Sequence, residues 1–353
     1  MAGLVRRTFV KRALATGIAW PLLRVEEAQA QSIEDYISQY VHSELRPMAR
    51  ASAAMTAGMP AWTPQSLPQL RAGAAAYGRA RLPAPAVEKR TISGEPGRPL
   101  IPVWLINAQP GSKRPAILHL HGGGFVMGAA EQSIADLQAI CTALDCFALS
   151  VDYRLAPETT FAGSVEDNYA ALTWLHTNAE ALGVDPARIG VMGESAGGGH
   201  AALLAIAARD RGEVPLAFQC LIYPMLDDRT GTTRTMPPHV GRLMWTAESN
   251  RFGWHSFLGM EPGGPSVPAH AVPSRVADVV GLPPAFIGVG SLDLFCDEDT
   301  EYAQRLNAAG VATELVVVPG AFHGFDMMPS KISQRFNSAK LNALRLGLES
   351  RRS

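Results

Sequence analysis

A serine becomes a nucleophile only where its neighbours bend the chain around it, and Ser195 has such neighbours. Gly193-Glu194-Ser195-Ala196-Gly197 follows the apolar stretch Arg188-Ile189-Gly190-Val191-Met192 and precedes an alanine-rich, helix-forming run. Two glycines without a Cβ let a strand turn sharply into a helix and lift the hydroxyl out of the sheet edge, exposing its Oγ. This is the pattern of a serine hydrolase, although small residues also occur at strand-to-helix turns that do no chemistry.

A second glycine cluster, His121-Gly122-Gly123-Gly124-Phe125, lies about seventy residues upstream, just past the apolar run 116–120. Three consecutive glycines leave amide N–H groups uncovered by side chains. The amides of Gly122 and Gly123, with that of Ala196, are the candidate donors to an oxygen that turns negative when a carbonyl is attacked. A base and an orienting acid must follow, in the order serine, acid, histidine. His323, in Gly320-Ala321-Phe322-His323-Gly324-Phe325, comes directly after the strand-like run 314–318. The remaining histidines, at 42, 119, 176, 200, 239, 255 and 270, occupy no comparable late loop after a strand. The acid is Asp293, which ends the apolar run 285–290. An aspartate there also suits a helix N-cap, a role that Asp297, Glu298 or Asp299 can take instead.

Those loops need a frame. Apolar runs near 87–93, 100–107, 115–121, 146–152, 188–193, 216–222, 285–290 and 313–318 alternate with helical segments. Such alternation predicts an α/β fold: one mostly parallel, eight-stranded sheet flanked by helices on both faces. Residues 87–226 and 273–353 form this core. Two stretches break the alternation: 31–86, helical in pattern and rich in Ala and Pro, and 227–272, an insertion after the sixth strand. Roughly 45 residues are too many for an ordinary connection, so the two are expected to form a helical cap. Trp245 and Trp254, with Phe125 beside the glycine cluster, are the candidate substrate-pocket residues; rings of this kind also simply pack.

Four stretches carry a family resemblance: 121–125 (HGGGF), 193–198 (GESAGG), 151–158 (VDYRLAPE) and 282–284 (LPP). From about residue 33 onward the chain resembles the hormone-sensitive-lipase-like carboxylesterases, the bacterial family IV esterases of the α/β-hydrolase fold. It departs from them at Glu194, where many members carry Asp, and at Leu294, where Pro is frequent. The resemblance implies hydrolysis of short- to medium-chain acyl esters through Ser195, His323 and Asp293 and an acyl-enzyme. Lactones, carbonates and activated amides suit the same triad, and relatives lacking the histidine act as small-molecule receptors.

Composition narrows the partners. With 353 residues, 47% of them hydrophobic, the chain can bury one large core. A formal net charge of −1, with both signs evenly mixed, argues against nucleic acid and leaves a small-molecule ester as the expected partner, a homodimer staying open. Cys141, Cys146, Cys220 and Cys296 lack paired C-x-x-C spacing, the histidines form no metal motif, and no G-x-G-x-x-G fingerprint occurs, so no metal or cofactor is expected. Residues 1–30 begin with Arg6-Arg7-Thr8-Phe9-Val10-Lys11, pass through an apolar run over 13–23, and end in Ala28-Gln29-Ala30. This resembles a cleavable twin-arginine signal to the periplasm or medium. The alternative is an amphipathic extension of the cap in a cytoplasmic protein. The run is too short for stable membrane insertion.

Overall fold

Eight strands pair into one sheet, in a computed structural model that describes residues 32–75, 78–94 and 97–349. They are β1 (Val87–Ile92), β2 (Ile101–Ile106), β3 (Arg114–Leu120), β4 (Phe147–Val151), β5 (Val184–Glu194), β6 (Phe218–Ile222), β7 (Ala285–Gly290) and β8 (Thr313–Val318). The order across the sheet is β1-β2-β4-β3-β5-β6-β7-β8. The pairs β1/β2 and β2/β4 are antiparallel, and every later pair is parallel. All eight expected runs are strands. β5 starts earlier than expected because Val184 already pairs with Arg114, across an irregularity in register between Arg114 and Ala116.

Helices cover both faces, so the central strands are buried on both sides, as parallel sheets require. The helices are α1 (Ile33–Tyr40), α2 (Arg46–Ala57), α3 (Leu67–Ala75), α4 (Ile134–Leu144), α5 (Phe161–Thr177), α6 (Ala179–Leu182), α7 (Ala196–Arg211), α8 (Ala247–Leu258), α9 (Cys296–Ala308) and α10 (Lys331–Glu349). Strand periodicity sorts the core. Leu118 and Ile287 pack with Leu172 of α5, Leu204 of α7 and Leu306 of α9. Their neighbours Ile117 and Phe286 face the other way, toward Ile37 of α1, Leu137 of α4 and Phe336 of α10.

A third apolar cluster, including Leu67, Phe125, Trp245, Trp254, Phe257 and Phe295, joins α3, the glycine loop, α8 and the start of α9. It is built largely from the two stretches that break the strand–helix alternation. Within 227–272 the regular elements are α8 and a short 3₁₀ turn at Ala269–Ala271. The ends of this insertion are tied together by a buried ion pair: Arg275 donates from Nε to Asp228 Oδ1 at 2.6 Å, and the Gly263 amide donates to Asp228 Oδ2 at 2.5 Å. Residues 1–30, read as an export signal, lie outside the described residues.

Candidate active site

The turn from β5 into α7 leaves no room for larger residues. A Cβ on Gly193 would meet the Gly197 carbonyl oxygen at 2.2 Å, and one on Gly197 would meet the Leu120 oxygen at 2.0 Å. Ser195 between them takes φ 57° and ψ −121°, a strained conformation for a residue with a side chain. The turn is locked by the Ser195 amide donating to Ile222 of β6 and by the Met225 amide donating to the Ser195 carbonyl. The elbow is recessed, not surface-exposed as expected: Ser195 is only 7% exposed and His323 8%.

Three side chains spread over a sequence separation of 128 meet here. The Ser195 hydroxyl and His323 Nε2 are 2.9 Å apart, and His323 Nδ1 lies 2.9 Å from Asp293 Oδ2. Asp293 is fixed from its other side, since Oδ1 accepts the Phe295 amide at 3.1 Å. The loops carrying Asp293 and His323 are stitched together as well. Ser291 donates its amide to Val318, Leu292 donates to Ala321, and the Gly320 amide donates to the Ser291 hydroxyl at 2.9 Å. The approach is so close that a Cβ on Gly290 would sit 2.3 Å from the Ala321 oxygen.

The residues weighed as alternative helix caps behave differently from the expectation. Helix α9 starts at Cys296 with no side-chain cap, so Asp297 is an exposed residue of its first turn. Glu298 and Asp299 turn inward. Glu298 accepts the amides of Leu226 and Asp227, while both Asp299 oxygens are buried without a hydrogen-bond partner. Burial drives both carboxyls well above the carboxylate range.

The glycine cluster lies against the elbow: a Cβ on Gly122 would stand 3.0 Å from the Glu194 oxygen and 3.4 Å from Ser195 Cβ. Gly123 has φ 124° and Gly124 has φ 59°. At Gly124 the space is taken by Trp245, whose Cη2 would lie 2.1 Å from an added Cβ. The loop is propped from below by His121 and Tyr153, stacked at 4.3 Å, with the Tyr153 hydroxyl donating to the His121 carbonyl and His121 Nδ1 donating to the Gly122 carbonyl. Burial pulls His121 down to about 4, so the ring is neutral.

The expected pocket residues separate. Trp245 stays near the chemistry, its ring 6.4 Å from His323 and edge-on to Trp62 at 5.3 Å. Trp254 is 0% exposed and packs edge-on to Phe125, which in turn stacks on Phe257 at 3.9 Å. Trp254, on the inner face of α8, and Phe125, from the glycine loop beneath it, are both packed within the third apolar cluster.

A second polar chain, which no motif in the sequence announces, lies beneath the elbow. His119 of β3 bridges Ser150 of β4 (2.8 Å) and Glu194 of β5 (3.0 Å). Burial alone would raise the Glu194 carboxyl, but His119 and the nearby Lys340 outweigh it and hold the group lowered. The signal was present: His119 interrupts an apolar strand, and register pairs it with Ser150. Another serine–histidine contact, Ser164 to His200 Nε2 at 2.9 Å, is structural. His200 Nδ1 faces the Ala196 carbonyl, not a carboxylate, and burial drops the ring to about 3.

Among the described residues no group of three or more His, Cys, Asp or Glu side chains is placed to hold a metal ion, and no helix is long and apolar enough to cross a membrane. The four cysteines are free thiols; Cys141 is pushed up by its hydrogen bond with Cys146 and by burial.

Comparison with known proteins agrees with this geometry. The profile of the alpha/beta hydrolase fold family matches residues 117–327, which include the glycine cluster and all three members of the hydrogen-bonded chain. Carboxylesterase NlhH of Mycobacterium tuberculosis (strain ATCC 25618 / H37Rv) is 37% identical over 257 residues, 69% of this chain and 76% of its own length. The ethyl acetate hydrolase of Pseudomonas putida is 31% identical over 226 residues, 62% of this chain and 68% of its own. Among solved structures, a bacterial heroin esterase superposes with a TM-score of 0.77 at 39% identity, covering 88% of this chain and 99% of that one. Esterase LipW from Mycobacterium marinum gives 0.75 at 32% identity, covering 89% and 98%. The chain belongs to the α/β-hydrolase fold family and, within it, to the hormone-sensitive-lipase-like carboxylesterases.

Proposed function

We propose that Ser195 is the nucleophile of this carboxylesterase, His323 its base and Asp293 the group that orients the imidazole. The observation that carries the assignment is the unbroken chain Ser195 Oγ–His323 Nε2 and His323 Nδ1–Asp293 Oδ2, both contacts at 2.9 Å. His323 takes the hydroxyl proton as Oγ bonds to the ester carbonyl carbon. Collapse of the tetrahedral species breaks the bond to the alcohol oxygen, which leaves with that proton. Water then attacks the acyl-serine through the same base, releasing the acid and restoring Ser195. Gly122 and Gly123 supply amide donors to the tetrahedral oxygen, and Ala196, at the start of α7 where amides lack intrahelical partners, supplies the third. Each such donor contributes about 2.7–4 kcal/mol in well-studied cases.

The segments around α1–α3 and α8 act as a cap that limits the acyl chain to short or medium length. Support comes from the recessed Ser195 and from Trp245 lying across Gly124 beside His323. The P. putida relative is named for ethyl acetate, a two-carbon acyl ester. A panel of acetyl to dodecanoyl esters, with a lactone, a carbonate and an anilide as further arms, tests the reading. Turnover should peak at or below about eight carbons and vanish in Ser195→Ala; hydrolysis by that variant within tenfold of wild type would remove Ser195 from the mechanism.

We also infer that residues 1–30 direct export. The reading is supported by the paired arginines, the apolar run and the small residues at 28 and 30. Sequencing the mature N-terminus from a native host tests it, and an intact Met1 or Ala2 in the cytoplasm would overturn it.

A further inference from the structure

The loop that carries His323 is held from behind by residues outside the triad. It is short: Gly324 has φ 74°, Phe325 is fully buried, and the Ser333 hydroxyl of α10 donates to the Phe325 carbonyl at 2.8 Å. The next residue, Asp326, has a side chain only 6% exposed, and each of its carboxylate oxygens meets a different element. Oδ1 accepts the Tyr223 hydroxyl from the loop after β6 at 2.8 Å, and Oδ2 accepts Lys340 Nζ from α10 at 3.3 Å. Asn337 of α10 adds a bond from Nδ2 to the Asp326 carbonyl.

Tyr223 returns the contact to the catalytic ring. Its ring centroid lies 4.6 Å from that of His323, tilted by 59°. To hold this place its backbone takes φ 35°, a left-handed value that a bulky residue keeps only where its surroundings enforce it. Here the Tyr223 amide donates to the Gly288 carbonyl at 2.6 Å, and the hydroxyl is held by Asp326. A Lys and an Asp taken this far out of water persist only as a pair, because removing either strands the other's charge. Lys340 also exerts a Coulombic pull on the carboxyl of Glu194, the residue before the serine, which is itself paired with His119.

We propose that Asp326, held between the Tyr223 hydroxyl and the Lys340 ammonium, is the positioning residue that keeps the His323 ring aligned between Ser195 and Asp293. The inference rests on the reading of His323 as the base. The charged and titratable groups that face this region are Asp293 from the loop after β7, Glu194 from β5 with His119 behind it, Tyr223 and Cys220 from the β6 segment, and Lys340 from α10.

The test is the pH profile of kcat/KM in four variants of the full chain. Its acid limb reports the base losing its proton. Lys340→Met leaves the Asp326 carboxylate, behind the Tyr223 ring that packs on His323, without its cation, favours the protonated imidazole, and should move the limb up by about half a unit or more. Asp326→Asn removes a negative charge while Lys340 remains, and should move the limb down. The double variant should return it toward wild type. Tyr223→Phe keeps the ring but releases the hydroxyl, and should lower kcat about tenfold with KM within twofold. Variants that only loosen the fold would not shift the limb in opposite directions and restore it in combination. If a single variant fails to fold, Tyr223→Phe and the charge-free double variant decide. Limbs that coincide with wild type, together with kcat within twofold in Tyr223→Phe, would overturn the positioning role. His323→Ala separates the two readings: retained activity there defeats the base assignment, whereas lost activity with unmoved profiles defeats only the role of Asp326.

Discussion

Asp293 and Asp297 stand four residues apart, and their surroundings give opposite expectations. Asp293 holds the Phe295 amide with one oxygen and the imidazole with the other. An asparagine there keeps its carbonyl on the amide and turns its NH₂ toward His323. Nδ1 must then accept, which places the ring proton on Nε2, where it blocks proton uptake from Ser195. Asp293→Asn should therefore lower kcat roughly 10⁴-fold with folding intact. Asp297 is exposed in the first turn of α9, and its replacement by Asn should cost no more than about 1 kcal/mol of dipole interaction and leave kcat unchanged. Side-by-side kinetics and melts check the ranking; the reverse order would transfer the acid role. The two tryptophans divide similarly. Trp245→Ala should shift acyl-chain preference in a chain-length series. Trp254→Ala should lower stability by about 3–5 kcal/mol in denaturant melts with relative rates unchanged, since its ring is wholly packed.

Elements deliver these side chains, and what could be read in advance follows from how local each cause is. The elbow was legible because the Gly193 clash, with the Gly197 carbonyl, arises within the turn itself, whereas the Gly197 clash, with the Leu120 carbonyl of β3, needs the neighbouring strand. The meeting of Asp293 and His323 was legible because each follows an apolar run at the same edge of a parallel sheet. The chain Ser150–His119–Glu194 depends on the strand order β4-β3-β5, which no single run of residues encodes. The inward turn of Glu298 and Asp299 depends on the insertion's start packing over α9, and the core position of Trp254 on which face of α8 is buried. Gly290 also escaped notice, because its need arises from the Ala321 carbonyl one strand away. Gly290→Ala should pry the Asp293 and His323 loops apart and cut kcat on an acetyl ester by about 10²-fold, the usual cost of a 1 Å misplacement. Gly73→Ala, where an added Cβ meets nothing within 4 Å, serves as the comparison and should match wild type. Equal activities in the two variants would show that the loop contact does not set the triad geometry.

At the scale of the whole molecule, buried titratable groups of two kinds pull stability in opposite directions. His121 and His200 are held at about 4 and about 3 by burial. The unfolded chain binds their protons near pH 6.5 and the native state refuses them, so their stabilisation is complete above pH 6.5 and drains as pH falls through the folded values. The full loss is on the order of 3–5 kcal/mol for each ring. Glu298 and Asp299 are raised by burial, with the opposite sign. The native state keeps their protons where the unfolded chain has lost them. Stability is then greatest below about pH 4 and declines as pH rises toward the folded values. Between roughly pH 4 and 6.5 the two slopes oppose each other, and the melting temperature of wild type should form a plateau there. His200→Gln retains a hydrogen-bonding side chain without the titration and should lift the acid side, while Asp299→Asn should lift the alkaline side by more than about 2 °C at pH 8 relative to pH 5. Melting curves of both variants across pH 4–9 decide the matter: two curves parallel to wild type would show that these groups do not shape the pH dependence, whereas tilts of opposite sign would assign the acid limb to the buried imidazole and the alkaline limb to the buried carboxyl.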